Sequence, residues 1–312
     1  MIFAPHHSAE FASQVAQCLG CELTPSEERE FDGGEHKMRP LADVRGHQVF
    51  VIQSLCGDGQ ASANDRFCRL AFFCGALKDA GAARVTACLP YLAYARKDRR
   101  TQMRDPVTTR YIAAMLEAVG VDRVVVLDVH NEAAFDNAFR CETLRLEAAD
   151  ILGSTLCDML DDSRLAVVSP DTGGIKRAQH LRDILTRKLG REVDFAFMEK
   201  RRTAGRVWGE QFAGDVAGSN VVLFDDLIAS GTTIMRAAQA ARTAGAKHVY
   251  VAATHAAFLI EALQLFQEAG PDTVLVSNSI ALPEPFKPIP QQRLQVCSIA
   301  PLFARTITEL ST

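Results

Sequence analysis

The chain has no apolar stretch near the roughly 20 residues that a membrane-spanning helix needs, and little net charge of either sign. A membrane-spanning helix is therefore not expected. The opening Met1-Ile-Phe-Ala-Pro-His-His has neither a basic leader nor a following apolar segment, so a cytoplasmic location is expected. Lys and Arg number 34 against 38 Asp and Glu, which argues against a general nucleic-acid binder while allowing local basic clusters. Cysteines total nine, an odd number without a disulfide pattern. In segments such as Arg66–Cys74 they read as small core residues in a reducing compartment. Cys18 and Cys21 have CxxC spacing, but no second ligand pair accompanies them, so packing is preferred over a metal site. With 312 residues, 48% of them hydrophobic, the chain can bury a large core and divide into two domains.

What is present is a repeated unit in which a helical pattern closes on glycine and a β-branched run follows. It occurs at Ala80-Gly-Ala-Ala-Arg-Val, Val119-Gly-Val-Asp-Arg-Val and Ala244-Gly-Ala-Lys-His-Val. Glycine supplies the left-handed residue that ends a helix, and the run that follows suits a strand covered on both faces. Further strands are expected at Val49–Ser54, Leu165–Pro170 and Val221–Phe224. Strands alternating with helices imply mostly parallel sheets, with ligands gathered beyond the carboxyl ends of the strands. The unit recurs on both sides of residues 140–160, favouring two similar α/β domains. A Pro-rich segment, Leu282–Pro290, then leads into a tail expected to dock away from its own domain.

One such strand end carries unusual chemistry. Val221-Val-Leu-Phe runs into Asp225-Asp226, then Ala229-Ser-Gly-Thr-Thr233. Small residues, three hydroxyls and a helix amino terminus make a phosphate cradle, and it lacks the Gly-Lys-Ser/Thr of a nucleotide loop. Two solvent-facing aspartates beside it suit a sugar's vicinal hydroxyls or a magnesium ion. A helix cap needs one acid rather than two, so a phosphorylated sugar is the better reading.

This segment resembles the phosphoribosyl-diphosphate (PRPP) motif shared by phosphoribosyltransferases and ribose-phosphate pyrophosphokinases. The rest of the chain favours the second family. Pro90-Tyr-Leu-Ala-Tyr-Ala-Arg-Lys-Asp98, Val126-Leu-Asp-Val-His-Asn-Glu132 and Ser169-Pro-Asp-Thr-Gly-Gly-Ile-Lys-Arg177 are similar to pyrophosphokinase segments, as are Glu199–Arg202, Ala253–Ala256, Val276–Ile280 and Ser298–Leu302, in the family's order. The resemblance implies α/β architecture: two similar phosphoribosyltransferase-like domains, each a mostly parallel sheet flanked by helices. Residues 1–146 would form the ATP side, joined by the tail 295–312, and residues 147–294 the ribose 5-phosphate side.

The same resemblance implies the site residues. Asp225, Asp226, Ser230, Gly231, Thr232 and Thr233 would bind ribose 5-phosphate. Phe31, Glu35, Arg96, Lys97 and His130 would bind ATP, with Phe31 and Glu35 reaching adenine in a neighbouring subunit of a homo-oligomer built from dimers. His130 and Asp171 would hold Mg2+, and Lys200 and Arg202 would act on the transferring phosphates. For His130 a structural histidine, and for Asp171 a simple turn aspartate, are the alternatives. The chain departs from the family at Gly33, Lys97 and Ala229, where an acid, a glutamine and an acid are usual. Those positions keep a noncatalytic, regulatory relative in view beside a PRPP-consuming phosphoribosyltransferase.

Overall fold

A computed structural model describes residues 1–203 and 206–311, and side chains outside 199–211. The chain divides into two compact units, Met1–Glu147 with Ile299–Thr312, and Ala148–Ser298. In chain order the first unit contains β1 (Ile2–Phe3), α1 (Ala9–Cys18), β2 (Ser26–Glu30), β3 (His36–Pro40), β4 (Gln48–Ile52), α2 (Ala63–Asp79), β5 (Arg84–Leu89), α3 (Thr108–Ala118), β6 (Arg123–Leu127), α4 (Glu132–Ala138) and β7 (Glu142–Leu146). The second contains α5 (Ala149–Met159), β8 (Leu165–Ser169), α6 (Ile175–Leu189), β9 (Asp194–Thr203), β10 (Arg206–Ala213), β11 (Asn220–Leu227), α7 (Thr232–Thr243), β12 (His248–His255), β13 (Thr273–Ser277) and β14 (Leu294–Cys297). Helix α8 (Ala300–Ser311) closes the chain and belongs to the first unit.

The first unit's main sheet, β1-β4-β5-β6-β7, is wholly parallel. Its central strands β5 and β6 are buried apart from Arg84 at the head of β5, as two covered faces require, whereas edge strand β7 is buried only at Leu146. One face meets α2 and α3 through Leu70, Phe73, Leu77, Ile112 and Leu116. Strands β2 and β3 form a separate antiparallel hairpin.

The second unit orders its strands β10-β9-β8-β11-β12-β13-β14, parallel except for the β9–β10 pair. Central β11 carries Val221, Val222, Leu223 and Phe224, all buried. The three glycine stops form one motif in both units. At Gly81, Gly120 and Gly245, with φ of 89°, 89° and 92°, the amide of the glycine and that of the next residue both bond back into the last helical turn.

Two expectations need correction. The tail 295–312 is split: β14 pairs with β13 in the second sheet because Leu294 and Cys297 are buried there, and α8 alone belongs with the first unit, where Phe303 packs edge-on to Phe11. The cysteines are also not uniformly core residues. Cys74, Cys88 and Cys297 are buried, but Cys18, Cys21 and Cys68 are exposed. Cys68 lies in the same apolar-looking run as Cys74, but the helix turns it to the outer face of α2.

Candidate active site

In the second unit the site forms where β8 and β11, adjacent and parallel, reach their carboxyl ends. Strand β11 does not stop before the acids. Its pairing with β12 continues through Asp225↔Ala253 to Leu227↔His255, so Asp226 is buried and Asp225 largely so. The expected solvent-facing pair is therefore an inward-held one. Its counter-charge is Arg177 on the first turns of α6, whose Nη1 lies 3.3 Å from Asp225 Oδ1 and 3.2 Å from Asp226 Oδ1. Burial, then the hydrogen bond with Asp226 and its charge, push the Asp225 carboxyl well above the usual carboxylate range, against the pull of Arg177. Two carboxylates this close hold a proton between them more readily than two charges. Arg177 was not among the expected site residues, although it ends the motif Ser169–Arg177; its position in the first turns of a helix that starts beside β8 was the available signal.

Asp171 occupies the turn between β8 and α6. Its Oδ1 accepts from the amides of Gly173 and Gly174, both at 2.9 Å, and the Ser169 hydroxyl donates to its carbonyl at 2.6 Å. A Cβ on Gly174 would come within 2.8 Å of Ser169 Oγ, so the turn is closely built. One carboxylate oxygen thus organises the turn, as the structural alternative required, and Oδ2 is the oxygen that a cation would take.

The loop from β11 to α7 places Ser230, Gly231, Thr232 and Thr233 together at the start of a 12-residue helix with no side-chain cap. Gly231 is left-handed, with φ of 75°. Ser230 Oγ and Thr232 Oγ1 are 3.1 Å apart, and both threonines are exposed. The Thr232 amide donates to Ser230 Oγ at a long 3.4 Å, and amides at the positive end of the helix dipole with hydroxyls around them suit an anion.

In the first unit His130 follows β6 after a tight bend at Asp128, whose φ is 38°. His130 is exposed, immediately before Asn131, the N-cap of α4. Asn131 Nδ2 donates to Asp98 Oδ2 at 2.6 Å, tying the His130 turn to the basic segment. There Arg96 and Lys97 are exposed, and the Lys97 amide donates to the Tyr94 carbonyl at 2.9 Å. A cationic loop and a histidine are so brought to adjoining ends of β5 and β6. Phe31 and Glu35 close the β2–β3 hairpin, with the Phe31 amide donating to the Glu35 carbonyl at 2.8 Å. Phe31 is half exposed, and Gly33, with φ of 81°, makes the turn where the family's acid is absent. The side chains of Lys200 and Arg202 lie outside the described residues. Their backbone belongs to β9.

Residues 1–120 match the family model for the N-terminal domain of ribose phosphate pyrophosphokinase, and residues 143–273 match that for the phosphoribosyl transferase domain. The ribose-phosphate pyrophosphokinase of Caldanaerobacter subterraneus subsp. tengcongensis is 34% identical over 99% of this chain and 94% of its own length. The chain belongs to the ribose-phosphate pyrophosphokinase family. The family member of Mycobacterium tuberculosis is 35% identical, over 98% of this chain and 91% of its own. In structure, the phosphoribosylpyrophosphate synthetase from Mycobacterium smegmatis matches with a TM-score of 0.89 at 34% identity, covering 99% of this chain and 98% of that one. As a ribose-phosphate pyrophosphokinase family member the chain is an enzyme, a transferase of diphosphoryl groups, with the two-domain, phosphoribosyltransferase-like architecture expected above. Among the described residues no helix is long and apolar enough to cross a membrane.

Proposed function

We propose that this chain transfers the diphosphoryl group of ATP to the C1 hydroxyl of ribose 5-phosphate, giving PRPP and AMP. The β11–α7 junction carries the reading: an acid pair suited to sugar hydroxyls leads directly into an uncapped, hydroxyl-rich helix start suited to a phosphate. The two adjacent carboxyl groups, held together by Arg177, offer acceptors to two neighbouring hydroxyls, which matches a vicinal diol. Ser230, Gly231, Thr232 and Thr233 take the 5-phosphate. Arg96, Lys97 and His130 take the nucleotide's phosphates, while Phe31 and Glu35, at an exposed hairpin tip, reach a neighbouring subunit's adenine in a homo-oligomer assembled from dimers.

Attack by the C1 oxygen on the β-phosphorus forms one P–O bond, breaks the bridge to the α-phosphorus, releases AMP and frees the hydroxyl proton. Alignment and charge stabilisation supply most of the acceleration. Lys200 and Arg202 offset the charge that shifts onto the bridging oxygen. Magnesium belongs to this reading, with His130 as a ligand on the nucleotide side and Asp171 as one on the ribose side; when bound it would neutralise phosphate charge. The Asp171 donor fits, since its Oδ1 is fixed by two amides and a hard oxygen remains. A cytoplasmic setting accords with the substrates.

The test is incubation with ATP, Mg2+ and ribose 5-phosphate, with AMP and PRPP quantified separately. Equal amounts of both are expected. Consumption of PRPP with a free base would support the phosphoribosyltransferase reading instead, and absence of both products would support the noncatalytic one.

A further inference from the structure

The segment after β12 touches three consecutive residues of the phosphate loop. The Leu259 amide donates to the Ala229 carbonyl at 3.1 Å, and Gln264 Nε2 donates to the Ser230 carbonyl at 2.9 Å. Leu265 Cγ lies 2.9 Å from where a Cβ on Gly231 would stand, filling the space that the glycine leaves. In a planar trans peptide the N–H points opposite to the C=O of the same unit. With the carbonyls of Ala229 and Ser230 turned toward the 259–264 segment, the amides of Ser230 and Gly231 face away from it, outward from the loop.

The segment is itself anchored at both ends. Residues 260–266 form a 3-10 turn, and Phe258 before it and Phe266 at its end pack on Phe286, with ring centroids 4.7 Å and 6.1 Å away. Phe286 is fully buried and comes from the Pro-rich segment, which thereby acquires a role in the second unit's core.

We propose that this turn is a brace for the anion-binding loop and that Gln264 is its positioning residue, fixing the Ser230–Gly231 peptide so that its N–H is presented to the 5-phosphate. Of the two hydrogen bonds only that of Gln264 comes from a side chain, so it can be removed by substitution without altering the backbone. The proposal rests on residues 229–233 being the ribose 5-phosphate site.

Calorimetric binding of ribose 5-phosphate to the wild-type protein is the first arm. Failure to bind would overturn the ribose reading, and the brace with it. The second arm compares Gln264→Leu, which keeps the bulk and loses the donor, with Gln264→Lys, which keeps a donor of similar reach. An unpaired carbonyl and a loosened peptide should weaken ribose 5-phosphate about tenfold in Kd and KM for the leucine variant. The KM for ATP should not change, and the lysine variant should stay within about twofold of wild type. Wild-type binding with an unchanged ribose 5-phosphate KM in Gln264→Leu would overturn the brace alone. Equal increases in both KM values, or a loss of thermal stability without a KM change, would also overturn it by marking Gln264 as merely structural. If the leucine variant does not fold, Gln264→Ser provides the same comparison.

Discussion

In the first unit Lys78, in the last turn of α2, reaches Asp122 at 3.0 Å, and Asp122 accepts from the Val85 amide at the head of β5 at 2.7 Å. In the second, Arg242 in the last turn of α7 reaches Asp272 at 3.1 Å, and Asp272 accepts from the Val249 amide at the head of β12 at 2.7 Å. The aspartate's own amide returns to the carbonyl of that same valine in both units, at 2.9 Å and 2.8 Å. The carboxyl ends share no such correspondence. There the first unit has a left-handed Asp128, an exposed His130 and a seven-residue helix capped by Asn131, whereas the second has a buried acid pair on Arg177 and an uncapped helix of 12 residues. One scaffold thus recurs at the strand heads, while the strand tails differ in charge, exposure and helix capping. Changes at the heads should affect stability, and changes at the tails chemistry.

The largest effect is expected in Glu199–Arg202. Lys200→Ala and Arg202→Ala should each lower kcat by about 100-fold with little change in KM, because an electrostatic contact made mainly in the transition state is lost. Arg201→Ala should do much less. Steady-state kinetics of the three variants settles this, and similar small losses at all three would reduce the segment to a basic surface.

A smaller effect separates the units by pH. Burial, then the charge of Arg66, hold the His7 imidazole of the first unit down at about 4. Between its unfolded value near 6.5 and that value the unfolded chain binds the extra proton, so stability falls as pH falls. Asp225 has the opposite sign: its folded value lies above the unfolded one near 3.9, so the native state binds the extra proton and its contribution falls as pH rises. Thermal melts between pH 5 and 8 should therefore show His7→Gln gaining on wild type toward pH 5, on the order of 2 kcal/mol. Asp225→Asn should gain on wild type as pH rises above the unfolded value, by about 3 °C per kcal/mol relieved. The same pH trend in both variants would contradict the assignment.

The smallest effect concerns the strand heads. Asp122→Asn and Asp272→Asn should each cost about 1 kcal/mol of stability and leave both KM values unchanged. A kinetic defect in either would break the division between head and tail.

Much of this was legible because it depends on neighbours in sequence. A glycine that must adopt positive φ marks itself at Gly81, Gly120 and Gly245, and the Asp225–Thr233 run carries its acids, hydroxyls and small residues within one strand-to-helix junction. What depends on distant partners was not legible. Arg177 meets Asp225 across 48 residues, and Gln264 meets Ser230 across 34. The burial of Asp226 follows from β11 pairing with β12 beyond its apolar run, which hydropathy does not register. Cys68 and Cys74 lie on different faces of one helix, so an apolar-looking segment does not show which cysteine faces the core. The two-part fate of the tail likewise depends on where β14 and α8 find room.

The central claim is that the tail of β11 in the second unit holds ribose 5-phosphate. Calorimetry on the Asp225→Asn, Asp226→Asn double variant, titrated separately with ribose 5-phosphate and with Mg2+–ATP, tests it most directly. The account predicts a loss of ribose 5-phosphate affinity of tenfold or more, on the order of one to two charge-assisted hydrogen bonds, with ATP affinity retained. Unchanged ribose 5-phosphate binding, or an equal loss for both ligands, would contradict it.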